Sequence, residues 1–88
     1  MIIFLIVKIS RDKKPFWGVD ADYLDRLNDW EGYFFLVLLI SSNEGWVYGK
    51  NEINNNIYNG LWKYREKNFN YIIHFSEIKD GNSLNLTN

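Results

Sequence analysis

An unbroken run of apolar residues from 33 to 40 constrains the fold of this chain more than any other feature. It reads Tyr-Phe-Phe-Leu-Val-Leu-Leu-Ile, and a strand that is apolar at every position is typical of one covered on both faces. A second apolar run, over residues 2–9, is rich in β-branched residues and predicts another buried strand. Both runs are far shorter than the about 20 apolar residues that a membrane-spanning helix needs.

Two helices are predicted between the strands. Residues 20–30 place Leu24 and Leu27 on one apolar face, and Asp20 can cap the first turn. A shorter helix is predicted over residues 51–59, where Gly60 suits its C-terminal end.

The predicted element order is strand, helix, strand, strand, helix, strand, with strands at residues 2–9, 33–40, 46–48 and 71–75. The first two strands are joined through a helix and are expected to be parallel, whereas a short turn makes the next pair antiparallel. The expected fold class is α/β (α+β), with one mixed sheet of about four strands and two helices. We expect one domain over residues 1–79 and a loose tail over 80–88.

Charge and composition exclude several classes of function. The chain has 10 Lys+Arg against 11 Asp+Glu, whereas a dedicated histone-like nucleic-acid binder is strongly basic. It has no Cys, which excludes disulfides, thiolate nucleophiles and Cys-containing zinc sites, and His74 is its only His. The N-terminus lacks the basic segment of a signal peptide. We expect a cytoplasmic protein with no cofactor, no bound metal and no membrane partner.

Basic residues cluster with aromatic residues around the end of the first strand. Such a mixture can hold phosphates and stack on bases, so the sequence predicts a nucleic-acid-binding surface made of Lys8, Arg11, Lys13, Lys14 and Trp17. The composition recurs further along the chain in Trp62, Lys63, Tyr64, Arg65 and Lys67. The alternative interpretation is that both are solvated loops with half-buried aromatic side chains.

Three segments between Phe4 and Ile40 occur in an order that is similar to that of a known protein family. They are Leu-Ile-Val-Lys-Ile-Ser, then Lys-Pro-Phe-Trp-Gly, then the apolar run already described. A strand with a Lys, a short basic turn, Pro-Phe, a helix and a Tyr-rich strand resembles the C-terminal half of the PD-(D/E)XK restriction-endonuclease-like fold. In that family a Glu-x-Lys strand supplies one of two metal-binding carboxylates, and the Lys stabilises charge on the phosphate.

The resemblance implies an ancestry whose chemistry has been lost. Lys8 matches the family Lys, but Ile6 stands where the acid belongs, and an apolar side chain cannot ligate Mg²⁺. We also expect no strand upstream of Met1 to supply the other carboxylate. The resemblance therefore implies a non-catalytic binding protein linked to nucleic-acid defence or mobile elements, with a nucleic acid or a protein as its partner.

Two alternatives stay open. The first is a metal-dependent nuclease whose carboxylate has migrated to Asp20 or Asp22. The second is a small inhibitor whose acidic segment mimics nucleic-acid phosphates and consists of Asp20, Asp22, Asp25, Asp29 and Glu31. Solvated acidic helix faces are common, and this is the plainer interpretation of that segment.

The first strand also predicts self-association. Unless residues 71–75 pair with it, the strand at residues 2–9 is a long apolar edge, which invites pairing with another chain. Two-fold dimers are the commonest closed assembly, so we expect a homodimer. The predicted core consists of Ile6, Leu24, Leu27, Leu36, Leu38 and Ile57.

Overall fold

A computed structural model describes residues 3–78 and 82–85, with Ser83 the one described side chain in the second segment. Within these residues the chain forms seven strands, two α-helices and one turn of 3-10 helix at Phe75–Glu77. The strands are β1 (Ile3–Ile9), β2 (Phe16–Asp20), β3 (Tyr33–Leu39), β4 (Glu44–Gly49), β5 (Lys63–Arg65), β6 (Asn70–His74) and β7 (Asn82–Asn85), and the helices are α1 (Ala21–Asp29) and α2 (Lys50–Tyr58).

Four strands form the larger sheet, in the order β1-β3-β4-β7. The predicted pairings of β1 with β3 (parallel) and of β3 with β4 (antiparallel) are both confirmed. β7, which lies within the predicted tail, pairs with β4, whereas residues 80, 81 and 86–88 of that tail lie outside the described residues. In the described part of the chain β1 pairs with β3 alone and is an edge strand.

Three strands form a second sheet, in the order β2-β6-β5, with antiparallel pairing throughout. The α+β class and the two helices agree with the prediction, but the single sheet is not confirmed, because the strands divide between two sheets. The strand predicted at residues 71–75 corresponds to β6, which pairs with β2 and β5 and not with the larger sheet. Residues 63–65, which the alternative interpretation placed in a solvated loop, form β5.

Local sequence explains where the helices begin and end. The Asp20 carboxylate accepts a hydrogen bond from the Tyr23 backbone N–H at 3.0 Å, as expected of an N-cap. α2 begins at Lys50, where the Glu52 side chain accepts a hydrogen bond from the Gly49 N–H at 3.0 Å. Both helices have nine residues; over the described ranges, no helix has the length and apolar character needed to cross a bilayer.

The core lies between the two sheets. Phe34, Leu36 and Leu38 point from β3 toward Trp17 and Ile73 of the smaller sheet, and the helices add Leu24, Leu27 and Ile53 to the same cluster. Of the predicted core residues, the four leucines are buried, while Ile6 and Ile57 are half-buried. The molecule measures 35 × 34 × 20 Å, and the short dimension matches two packed layers about 10 Å apart.

The side of β3 that faces away from the core is not covered as the sequence predicted. The apolar run predicted a strand covered on both faces, but Tyr33 is exposed, and Phe35 and Val37 are half-buried. The outward side chains of β1 are exposed as well. The larger sheet therefore buries one face in the core and leaves an apolar face on the surface.

Candidate nucleic-acid interface

The basic turn between β1 and β2 lies beside a surface cavity. Lys13 and Lys14 are exposed and line a cavity of about 620 Å³ together with His74 and Phe75. Two backbone contacts hold this connection in place. The Phe75 N–H donates to the Pro15 carbonyl at 2.9 Å, and the Ser10 N–H donates to the Leu39 carbonyl at 2.9 Å.

The second basic segment, residues 62–67, lies near the same part of the surface because its strand β5 belongs to the smaller sheet. Lys63 and Arg65 lie on β5, next to β6, and line a cavity of about 260 Å³ that also includes His74. His74 therefore borders both cavities, between two stretches that are far apart in sequence. We call the surface formed by these side chains the basic-aromatic face; it consists of Lys13, Lys14, Phe16, Lys63, Arg65 and His74.

An exposed ring pair lies at the centre of this face. Phe16 is directly opposite His74 in the register of β2 and β6, and opposite residues of an antiparallel pair share a face. Their ring centroids are 6.2 Å apart. Phe16 is 48% exposed, so its ring remains in part accessible from solvent.

Trp17, predicted as a nucleic-acid-binding residue, is instead a core residue. It is 3% exposed, and its indole N–H donates to the Leu39 carbonyl at 3.0 Å. Side chains alternate along a strand, so burying Trp17 turns Phe16 outward. The sequence alone did not identify β2 as a strand and therefore did not separate the exposed Phe16 from the buried Trp17.

The other predicted basic residues do not converge on the basic-aromatic face. Lys8 lines a different cavity, of about 360 Å³, with Ile6, Asp20 and Tyr23. Arg11 is exposed in the connection between β1 and β2. Of the five predicted residues, Lys13 and Lys14 are the two that lie beside His74.

The Lys8 cavity bears on the nuclease alternative. Asp20 is its one carboxylate among the lining residues, and one oxygen of that carboxylate caps α1. Asp22 pairs instead with Arg26 at 2.9 Å on the exposed side of the helix. Across residues 3–78 and 82–85, no three His, Asp or Glu side chains gather as a metal-binding group. Of the two residues considered for a migrated carboxylate, Asp20 is therefore the one that lies beside Lys8.

The acidic segment around α1 is solvated, since Asp20, Asp22, Asp25, Asp29 and Glu31 are all exposed. The negative charge of this segment acts on Tyr71 of β6. Tyr71 is half-buried and packs against Tyr64 with ring centroids 5.5 Å apart. Burial raises the pKa of the Tyr71 hydroxyl above its ordinary value, and the charge of Asp25 and the Tyr64 hydroxyl raise it further. The acidic segment therefore extends as far as the Tyr64–Tyr71 pair of the smaller sheet.

Comparisons of the chain with protein-family models, with curated proteins and with solved structures give no match. The resemblance to the PD-(D/E)XK fold consequently stays a hypothesis.

Proposed function

We propose that this protein is a non-catalytic module that binds single-stranded nucleic acid on its basic-aromatic face. The observation that carries the proposal is the position of β6, between β2 and β5, which puts the Phe16 and His74 rings between two basic stretches. Cations that follow a backbone, combined with rings on which bases stack, are the two components of sequence-tolerant single-strand binding.

The local charge supports this role although the net charge does not. The chain carries a net charge of −1, but four cationic side chains lie on the basic-aromatic face, with Glu77 at its margin. Phosphate contacts dominate such binding and release counterions. With at most four contacts, the logarithm of the association constant should fall with the logarithm of salt at a slope of roughly −3 for a single strand.

Fluorescence anisotropy of labelled single-stranded DNA and RNA, measured over a series of salt concentrations, tests the proposal. Replacing both Lys13 and Lys14 by Ala should weaken binding to every sequence and make the salt slope shallower, since two phosphate contacts are lost. Lys50→Ala is the matched control, because it removes an exposed cation on α2.

The aromatic component is tested separately. Phe16→Ala should weaken binding about fivefold or more, since stacking on one aromatic side chain contributes roughly 1–3 kcal/mol per base. Tyr58→Ala is the control, because Tyr58 is an aromatic residue of α2 that is 91% exposed. Equal affinities for all four variants, or no binding by the wild type at low salt, would refute the proposal.

The same samples distinguish the alternatives. Incubation with Mg²⁺ or Mn²⁺ should leave the oligonucleotides intact, because Ile6 occupies the acid position of the motif. Cleavage that is lost in both Lys8→Ala and Asp20→Asn would establish the migrated-carboxylate nuclease. An inhibitor that mimics phosphates with the α1 acids should bind none of the oligonucleotides, even at low salt.

A further inference from the structure

The outer face of the larger sheet is apolar along β1, β3 and β4. Its outward positions are Ile3, Leu5, Val7 and Ile9 on β1, Tyr33, Phe35, Val37 and Leu39 on β3, and Gly45, Val47 and Gly49 on β4. We call this surface the apolar face. Its β1 side chains and Tyr33 are between 47% and 60% exposed, which is unusual for five large apolar residues on one side of a sheet.

In the described part of the chain the apolar face is open to solvent along β1 and at Tyr33, whereas Leu39, at the other end of β3, is buried. Both helices contribute to the core on the other side of the sheet, where Leu24, Leu27 and Ile53 are buried. The sequence of β3 nevertheless has the continuous apolar pattern of a strand covered on both sides. The pattern and the exposure agree if a second protein surface supplies the missing layer.

We propose that this surface is a second copy of the chain, with the two larger sheets stacked face to face. The apolar face carries no charged side chain at the outward positions of β1, β3 and β4, so it has no charge with which to select a polar or ionic partner. Its own copy offers the same neutral, apolar surface, as an isologous two-fold interface requires.

The relief of the apolar face favours one two-fold arrangement. β1 presents four branched side chains, whereas β4 presents Val47 between Gly45 and Gly49. The face is therefore high along β1 and lower along β4. A two-fold axis parallel to the strands and above β3 places the β1 of one copy over the β4 of the other, so that high and low sides meet.

The exposed area is sufficient for a reversible dimer. A large apolar residue offers about 150–200 Å² when fully exposed, so the apolar face presents on the order of 500 Å² per copy. Stacking two copies buries on the order of 1,000 Å² in total, which is near the lower limit for a specific interface. We therefore expect dissociation in the micromolar range.

Pairing through the free edge of β1, which the sequence suggested, is a different assembly. It would join backbone groups of two β1 strands and leave the apolar face of each copy in water. Face-to-face stacking covers the exposed side chains themselves. Val37 distinguishes the two modes, because it lies on the central strand β3 and not at the edge. Dimer affinity should depend on Val37 in face-to-face stacking but not in edge pairing.

Sedimentation velocity over the micromolar range tests the proposal. The mass of the wild type should rise from the 10.6 kDa monomer to the dimer as concentration increases. Val37→Lys should weaken association at least tenfold, and the control Tyr58→Lys, on exposed α2, should leave it unchanged. A monomer at all concentrations, or a dimer of equal affinity in Val37→Lys, would overturn the interface.

Cross-linking provides a second measurement in case Val37→Lys does not fold. The chain has no Cys, so Val37→Cys and Tyr58→Cys each carry a single thiol. A short bis-maleimide that spans the about 10 Å between stacked sheets should link Val37→Cys into a covalent dimer. More dimer from Tyr58→Cys, whose position is the more accessible, would mean random collision and would contradict the proposal.

Discussion

Tyr71 lies where the acidic part of the surface meets the smaller sheet. Its half-buried hydroxyl has a raised pKa because burial disfavours the phenolate, with further contributions from Asp25 and Tyr64. The neutral form is therefore favoured more strongly in the folded chain than in the unfolded chain. Its stabilising contribution is complete below the ordinary pKa of 10.0 and is lost as pH rises through the folded-state pKa.

The raised pKa of Tyr71 gives a prediction for stability at alkaline pH. Between pH 10 and the folded-state pKa of Tyr71, the free energy of unfolding should decrease more steeply in the wild type than in Tyr71→Phe. Asp25→Asn should reduce the steepness in part, because it removes one charge that opposes the phenolate. Denaturant titrations at a series of pH values measure this, with Tyr58→Phe as control. Identical profiles for the wild type and Tyr71→Phe would contradict the assignment.

Residue types alone identified the cations of the candidate interface but not its rings. Lys13 and Lys14 were predicted because charge next to a breaker such as Pro15 is typical of an exposed turn. Phe16 and His74 become neighbours only through the register of β2 with β6, and no local pattern records a pairing between such distant segments. Alternation could have assigned Phe16 outward and Trp17 inward had β2 been recognised.

At the scale of elements, the two glycines of β4 have different roles. At Gly45 a Cβ would overlap the backbone carbonyl of Leu38, so the close approach of β3 and β4 requires a residue without a side chain. At Gly49 the nearest atom to a Cβ would be the Glu52 carboxylate oxygen at 3.6 Å, which is an ordinary contact.

The hairpin of β3 and β4 should therefore tolerate one substitution and not the other. Gly45→Ala should lower the free energy of unfolding by about 2 kcal/mol or more, because the strands must separate locally to admit the methyl group. Gly49→Ala should cost at most about 1 kcal/mol, since Ala is a poorer N-cap for α2 than Gly. Urea denaturation of both variants measures the difference, and equal costs would show that the close approach at Gly45 is not rigid.

Elements with a strong period or a long apolar run were predictable, and α2, β4 and β6 were predicted as well, whereas β2, β5 and β7 were not. β1, α1 and β3 were found close to their observed bounds, because their patterns continue over many residues. β2 contains Gly18 in its middle, β5 has three residues, and β7 is mostly polar. Their strand conformation depends on pairing with remote segments, and strand preference is known to depend on such context.

At the scale of the whole molecule, the two sides of the larger sheet should respond differently to truncation. Leu36 is fully buried on the inner side, and Leu5 is more than half exposed on the apolar face. In dilute solution Leu36→Ala should cost roughly 2–5 kcal/mol of stability, whereas Leu5→Ala should cost less than about 1 kcal/mol. Chemical denaturation at low protein concentration compares them, and similar costs would mean that the core is assigned to the wrong side.

The two-layer construction also affects how the proposed dimer would hold the proposed nucleic-acid ligand. The apolar face and the smaller sheet are on opposite sides of a body 20 Å thick. If two copies join through their apolar faces, their basic-aromatic faces lie on opposite sides of the dimer and are separated by twice that thickness. A short oligonucleotide then occupies one protomer, but a strand long enough to pass around the rim reaches both. Its second attachment is intramolecular, so avidity would increase abruptly with oligonucleotide length.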